Sequence, residues 1–231
     1  MARINKRALT RLEIIQVASR KFLDDGYGAT TVSAIARELE MSPGNLTFHF
    51  PTKEHLLSEL VDLMCRFQWK WMEEAADEGI GSLMAICLEL SAMAGVSEDD
   101  PVIRDFFLSA YTSPMCLAII RRNDTQRAKQ VYTEYCTGWT EEQFSAAEML
   151  CSGIEYSVLT PVGENVSLEL RLSSALDTIL GIYGVPAAVR QEKIRKVLAM
   201  DHKSLGRQVL TEFREFVEQA NEQAFFDLLK Q

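Results

Sequence analysis

A chain of 231 residues is long enough for one large helical domain, or for a small domain joined to a larger one. Hydrophobic residues make up 47% of it, which excludes disorder as the default and predicts a buried core. The formal net charge of -9 argues against the whole molecule lying on a polyanion such as a nucleic acid.

Charge is distributed unevenly along the chain. Residues 1–53 contain eight basic and five acidic side chains, a net charge of +3. Because the whole chain has a net charge of -9, the remaining residues have a net charge of -12. This asymmetry fits a basic head that meets DNA phosphates and an acidic body that they repel. An ordinary solvated surface explains the same numbers equally well.

The cysteines and histidines offer no metal or redox motif. Five cysteines are odd in number, scattered and without close pairing, so we interpret them as small buried hydrophobes in a reducing compartment. The three histidines form no cluster with metal-ligand spacing, and neither a metal nor another cofactor is expected. No apolar run reaches the length of a membrane span and the N-terminus is too polar for a signal peptide, so a cytoplasmic location is expected.

Apolar residues recur at helical spacing in almost every segment, and no stretch alternates as a strand would. The predicted fold is all-α, with an N-terminal three-helix helix-turn-helix head and a larger C-terminal helical bundle. Its helices are predicted over 8–24, 32–40, 42–50, 53–77, 82–94, 101–111, 114–136, 140–159, 166–182, 186–200 and 203–229. We place the domain boundary inside the fourth helix, which gives a helix-turn-helix domain at 1–55 and a helical body at 56–231.

The second and third predicted helices have the lengths and the tight turn of a helix-turn-helix. The apolar positions expected to pack them onto the first helix are Val32, Ile35, Ala36, Leu39, Met41 and Leu46. The positions expected to point outward are Ser42, Gly44, Asn45, Thr47 and His49. The start of the second helix of this motif enters the major groove, where the Asn45 amide would pair with adenine N6 and N7. A solvated helix face explains Asn45 and Thr47 equally well.

The head resembles the TetR-type transcriptional regulators over roughly the first sixty residues. The residues that carry the resemblance are Ile14, Ile15, Gln16, Val17, Ala18, Phe22, Gly26, Tyr27, Thr30, Thr31, Val32, Ile35, Ala36, Ser42, Gly44, Leu46, Phe48, His49, Phe50, Lys53 and Leu57. An ordered set of this size rarely arises by chance.

The resemblance implies a homodimer that places its two third helices in successive major grooves of a near-palindromic double-stranded DNA operator. It also implies a repressor that a small ligand releases from DNA. Carried over by position, Thr31 and His49 would contact phosphate, Gly44 and Asn45 would approach bases, and Lys53 would anchor the DNA backbone. An N-terminal arm is expected to reach adjacent phosphates or the minor groove, and it consists of Arg3, Lys6 and Arg7.

Three positions of the head depart from the usual TetR-type pattern. Glu40 stands where the turn more often has Gly, Pro43 stands where a basic residue is frequent, and Thr47 stands where an aromatic residue is common. A non-Gly residue at positive φ is strained, so the turn geometry is in question. These departures affect the base preference that we expect, and not DNA binding itself.

The resemblance implies that the body, 56–231, is a dimerisation and effector-binding domain whose two late helices pair with their symmetry mates. We therefore interpret the apolar stripes of these helices as a dimer seam, although ordinary core explains such stripes as well. The seam residues are Phe144, Ala147, Cys151, Ile154, Leu168, Leu172, Ala175 and Ile179. Small residues among them would permit close helix packing. The final amphipathic helix either thickens the dimer or covers the pocket, and the sequence leaves both open.

A ligand pocket is expected between the C-terminal half of the fourth helix and the three helices that follow. Its expected lining is Trp69, Met72, Met84, Cys87, Phe106, Phe107 and Tyr111. Met and aromatic side chains shape adaptable cavities, so the expected effector is small and apolar or amphipathic, while plain core remains the alternative. Ligand binding would tilt the fourth helix and change the head separation from the ~34–36 Å between successive major grooves.

Other functions are less well supported by the residues. The sequence has no Gly-rich phosphate loop, nucleophile elbow or credible carboxylate pair, so we do not expect an enzyme. A DNA-bound adaptor without a small-molecule effector, and a protein-interaction module that does not bind DNA, are the alternatives.

Overall fold

Eleven α-helices and no strand are found in the residues that the computed structural model describes, which are 6–77, 79–160 and 166–229. The helices are α1 (Lys6–Asp24), α2 (Val32–Glu38), α3 (Pro43–His49), α4 (Lys53–Asp77), α5 (Ser82–Asp99), α6 (Pro101–Thr112), α7 (Pro114–Val131), α8 (Glu141–Leu159), α9 (Leu168–Ile182), α10 (Ala187–Leu198) and α11 (His202–Leu229). The predicted all-α fold is confirmed. None of these helices combines the length and apolar character that a membrane span requires.

Two helices end at places that local pattern did not predict. Helix α5 runs on to Asp99, since Gly95 lets α11 pass so closely that a Cβ there would lie 2.1 Å from the His202 carbonyl oxygen. Helix α7 stops at Val131, because the next residue, Tyr132, caps it and stacks its ring at 3.9 Å on Tyr183. Tertiary packing, and not propensity, therefore sets both ends.

Helices α1 to α3 form the head around a small apolar centre. Its fully buried side chains are Ile14, Ala18, Phe22, Ile35, Ala36 and Leu46. Val32, Leu39 and Met41 are partly buried against the same core. The predicted packing of α2 and α3 onto α1 is thus what the structure shows.

Helix α4 belongs to the head and to the body at once. Its first turns bury Leu56, Leu57 and Leu60 in the core that α1 shares, and its later turns bury Met64 and Phe67 among body helices. One continuous helix, Lys53–Asp77, therefore joins the head to the body.

The last helix, α11, lies across α5 and reaches back to α1. Glu218 accepts a hydrogen bond of 3.2 Å from Gln16 Nε2 and lies 3.5 Å from Arg20, while Arg214 pairs with Asp24. Phe213 packs against Phe67 of α4. The final helix therefore ties α1 to the body.

Candidate nucleic-acid interface

The turn between α2 and α3 is built on a residue in the left-handed conformation. Glu40 has φ = 52°, and it is the only non-Gly residue with positive φ in the described part of the chain. The Met41 N–H donates to the Ala36 carbonyl at 2.9 Å and the Glu40 N–H to the Arg37 carbonyl at 3.1 Å. This is a Schellman motif with Glu40 at the position that Gly usually takes. The turn keeps its geometry and carries the strain of a side chain there.

Helix α3 starts as the sequence predicts. The Ser42 hydroxyl accepts a hydrogen bond of 3.2 Å from the Asn45 N–H, and Pro43 occupies the first helical position. Residues 42–45 are all exposed, whereas Leu46 is completely buried. The start of α3 thus presents Gly44 and Asn45 to solvent while Leu46 holds the helix on the head.

An exposed aromatic side chain lies at the other end of α3. Phe48 is 67% exposed, and the Arg7 guanidinium lies 5.2 Å from the centre of its ring. Thr47 is half-buried and donates to the Gly44 carbonyl at 3.1 Å. Our sequence-based list of DNA contacts omitted Phe48, although its spacing of two from buried Leu46 and Phe50 indicates the outer face of the helix.

His49 is buried, with 9% of its surface exposed, and does not point outward as predicted. Arg11 Nη1 of α1 donates to the His49 backbone carbonyl at 2.7 Å. Burial, together with the positive charges of Arg7 and Arg11, lowers the pKa of its imidazole. The His49 side chain is thus on the buried side of α3 and not on its outward face.

Lys53 holds the loop between α1 and α2. Its ammonium donates to the carbonyls of Tyr27 at 2.8 Å and Thr30 at 2.9 Å, and it lies 4.1 Å from the centre of the Tyr27 ring. Burial lowers the pKa of Lys53. The exposed Thr31 caps α2 by accepting from the Ala34 N–H at 3.1 Å. Both residues thus shape the head in the unbound protein, whatever phosphate contacts they add.

Three basic residues of the head are exposed and form no ion pair with any described carboxylate: Lys6, Arg7 and Arg37. By contrast, Arg11 pairs with Glu59 at 3.0 Å and Lys21 with Glu38 at 2.7 Å. Arg3, the other predicted arm residue, lies outside the described residues. The unpaired cations are free to meet phosphate.

The head also contacts α6 of the body. Asp105 Oδ2 accepts a hydrogen bond of 2.6 Å from the Gly28 N–H, in the loop that Lys53 holds. A Cβ at Gly26, which has φ = 95°, would lie 3.2 Å from the same carboxylate. Close to this contact, the Ser113 hydroxyl donates to Glu54 at the start of α4. The orientation of the head is thus fixed by both α4 and α6.

Comparison with known proteins identifies this head. Residues 14–60 match the family of bacterial regulatory proteins, tetR family. The helix-turn-helix head is thus similar to that of the tetR family. The match covers α2 and α3 completely, and its residues include Gly44, Asn45 and Lys53.

A curated relative and two solved structures are similar to this chain. The HTH-type transcriptional regulator QacR of Staphylococcus aureus is 40% identical over 68 residues, which span 29% of this chain and 35% of that protein. The TetR family protein CprB of S. coelicolor A3(2) is 23% identical, with a TM-score of 0.47, over 84% of this chain and 98% of that one. A gamma-butyrolactone receptor described as ArpA-like is 21% identical, with a TM-score of 0.41, over 90% of this chain and 98% of that one. The chain thus matches about a third of the length of its curated relative.

Outside the matched segment, α8 and α9 carry an exposed apolar surface. Four large hydrophobic side chains of this region are from 48% to 61% exposed. They are Met149 and Leu150 on α8, Val166 before α9 and Leu170 on α9. The residues predicted to form a dimer seam are not on this exposed surface. All of them except the half-buried Ile154 are buried in the protomer's own core.

The residues predicted to line one ligand pocket do not share a cavity. Three of them line two separate cavities of about 50 Å³ each. Tyr111 lines a polar one, together with residues of α4, α5, α7, α8 and α9. Phe106 and Phe107 line an apolar one that α11 covers with Val209, Leu210 and Phe213. The remaining predicted residues line neither cavity: Trp69, Met72, Met84 and Cys87. Among the described residues, no group of His, Cys, Asp or Glu has the geometry of a metal site.

Proposed function

We propose that this TetR-type chain is a transcriptional repressor that binds a near-palindromic operator as a homodimer and leaves it when a small ligand binds the body. The observation that carries the proposal is the exposed start of α3, where Gly44 and Asn45 face solvent, together with exposed Lys6 and Arg7 on α1, which form no ion pair with a described carboxylate. A side-chain amide reads adenine, the small Gly44 permits close approach, and the cations neutralise phosphate.

The apolar face on α8 and α9 supports the dimer. We assign a second copy of the chain to it, because a two-fold-related pair of heads requires a self-complementary surface on the body. Leu150 and Leu170 are 61% and 58% exposed on adjoining helices, and exposed apolar side chains gathered on one face mark an interaction surface. Small neighbours such as Gly153 and Ser174 leave the helices open to close packing.

The polar cavity supports ligand control. Gln68 of α4 lies in its wall, so a ligand there touches the same helix that begins next to α3. A ligand shifts the equilibrium only as far as it binds one head arrangement better than another. We expect it to favour an arrangement whose α3 helices no longer match successive major grooves.

The test is selection of binding sites from a random duplex pool with the full chain, followed by affinity measurements across a salt series. A two-fold-symmetric site should emerge. Asn45→Ala should weaken that site by about 1–3 kcal/mol with little effect on unrelated DNA, as expected for a residue that reads a base. Arg7→Ala should weaken all DNA alike and reduce the salt slope by about one.

Glu192→Ala on α10 serves as the control, because Glu192 lies far from α3 along the chain and, among the described residues, its ion pair is with Lys196 on its own helix. If no sequence is enriched, or if Asn45→Ala and Glu192→Ala bind the selected site equally, α3 does not read DNA and the proposal fails.

A further inference from the structure

The polar cavity of the body holds an excess of negative charge. Four carboxylates line it, those of Glu89, Asp124, Glu148 and Glu155, but only one basic side chain of the described lining does so, that of Arg127. With every group ionised, this wall carries a formal charge of -3. Charges withdrawn from water need compensation from partners, and a single arginine does not supply enough.

Arg127 is already committed to two of these carboxylates. Both of its terminal nitrogens donate to Glu89, and Nη1 lies 3.3 Å from Asp124. Only 4% of the Arg127 side chain is exposed, against 15% for Glu89 and 17% for Asp124. The positive charge of the cavity is therefore used up on its α5 and α7 side.

The two α8 carboxylates have neutral partners. Tyr183 donates to Glu148, and the Tyr111 hydroxyl donates to Glu155 Oε2 at 3.0 Å. A hydroxyl satisfies one lone pair and cancels no charge. Burial accordingly raises the pKa of Glu148 and of Glu155, and that of Asp124 to about 8. Where no cation compensates these carboxylates, burial therefore favours their protonated form.

A second, independent feature of this cavity indicates a ligand. Tyr132 is 3% exposed, lines the cavity, and its hydroxyl has no hydrogen-bond partner in the described part of the chain. Its ring is fixed by stacking on Tyr183 with an interplanar angle of 6°. Buried polar groups rarely stay unpaired, so this hydroxyl marks a place that a guest's polar group completes.

Another part of the cavity wall is aliphatic, so it would contact an apolar part of a bound ligand. Its aliphatic residues are Ile86, Leu90, Met93, Leu176, Ile179 and Leu180. Tyrosine rings attract organic cations as well, since the face of an aromatic ring is electronegative. The described acidic residues lack the geometry of a metal site, which favours an organic cation over a metal ion.

We propose that the cavity binds a small organic cation, a protonated amine with an apolar body, whose ammonium group sits between Glu148, Glu155 and the Tyr132 hydroxyl. The apolar body lies against the α5 and α9 aliphatic residues. This inference names the chemical class of the effector, and its link to DNA release rests on the function proposed above.

The size of the cavity connects binding to movement. Its volume of about 50 Å³ holds roughly four water molecules. A guest of more than a few heavy atoms has to separate the surrounding helices. One of these is α4, whose Gln68 donates to Glu89 Oε1 at 2.5 Å. Displacement of α4 is then passed to the head through an unbroken helix.

The test uses the full chain and matched probes of graded size at pH 7.5. The cations are butylammonium, hexylammonium and 2-phenylethylammonium, and each is compared with an alcohol and a carboxylate of similar shape. Binding is measured by thermal shift and by calorimetry. We expect at least one cation to raise the melting temperature and to bind at least tenfold more tightly than its alcohol, while the carboxylates do not bind.

Glu155→Gln should reduce the affinity of that cation at least tenfold, because it removes the charge and keeps an acceptor for Tyr111. Glu142→Gln, an exposed position on the same helix, should leave it unchanged. Glu148→Gln, which also keeps an acceptor for Tyr183, provides a second cavity variant should Glu155→Gln not fold. An alcohol that binds as well as its amine, a response retained in the cavity variant, or no response to any cation overturns the inference.

Release of the selected operator is measured separately. Operator binding that no amine affects, together with no amine binding, refutes the cation site and leaves the DNA-reading proposal standing. Amine binding that depends on Glu155, in a chain that selects no DNA sequence, refutes the proposed function and leaves the site standing.

Discussion

Gln68 Nε2 lies 2.5 Å from Glu89 Oε1, so a side chain of the helix that begins next to α3 bonds directly to a carboxylate of the interior cavity. The same carboxylate holds Arg127. A change in cavity charge therefore reaches α4 through one hydrogen bond. This contact connects the two halves of the proposed mechanism, ligand binding in the body and DNA binding by the head.

Replacing Gln68 with Leu should uncouple these halves. The variant keeps the volume of the side chain and removes the donor to Glu89, so cation binding should persist while its effect on operator affinity falls severalfold. Operator release is measured by fluorescence anisotropy with and without the amine. Full retention of release in Gln68→Leu would show that the coupling takes another route.

Glu40→Gly should stabilise the head. Glu40 sits at φ = 52° in the Schellman turn, and relief of that strain should raise the free energy of unfolding by about 1 kcal/mol in urea titration. Arg37→Gly, three residues earlier in α2, should instead lower it by up to about 1 kcal/mol, because Gly weakens a helix. A loss of stability in Glu40→Gly would contradict the strained turn.

Much of the local structure of the head could be predicted from the sequence because short-range chemistry decides it. Ser42 with Pro43 starts α3, Thr31 caps α2, and the missing Gly at Glu40 marked the strained turn. The roles of His49 and Lys53 could not be predicted in this way. Their burial and partners come from α1 and from the α1–α2 loop, which lie far from them in the chain.

The acidic cavity was missed for a similar reason, since its carboxylates come from three helices. One signal was nevertheless present. Glu148 and Glu155 lie on the same stripe of α8 as Phe144 and Cys151, at spacings of four, three and four. Glutamates within an apolar stripe are buried by geometry, and buried carboxylates call for a functional explanation.

The stability of the unliganded protein should depend on Asp124. Burial raises its pKa to about 8 in spite of Arg127, and Glu89 and Glu148 add to the shift. The folded state therefore holds a proton that the unfolded chain releases at lower pH, so stability is greatest at low pH and is lost as the pH rises toward 8. The melting temperature should fall between pH 6 and pH 8.5, and less steeply in Asp124→Asn. Equal slopes would contradict the assignment.

Close packing of α11 on α5 should make Gly206 sensitive to substitution. A Cβ there would lie 2.5 Å from the Ala92 carbonyl and 2.6 Å from the Val96 nitrogen, so Gly206→Ala should cost about 1–3 kcal/mol. At Gly181 of α9 the nearest atoms would be 3.8 Å away, and Gly181→Ala should be neutral or stabilising. Similar unfolding curves for the two variants would exclude the tight crossing.

The proposed dimer should dissociate when charge is placed on its apolar face. Leu150→Glu with Leu170→Glu puts four carboxylates into a two-fold interface, and sedimentation should then show a monomer that has lost most of its operator affinity. Met200→Glu, at an exposed apolar position after α10, should remain dimeric. A dimer that survives the double substitution must use another surface.

The separation of the two heads tests the central claim most directly. All five cysteines are buried, so an introduced cysteine at the exposed Ser33 of α2 accepts a spin label selectively. Pulsed dipolar spectroscopy then measures the distance between the two labels of the dimer. A narrow distance in the operator complex that shifts by several ångströms when the amine binds is the predicted result. No measurable coupling between labels, or one distance whatever is bound, would contradict a dimer whose body controls its reading of DNA.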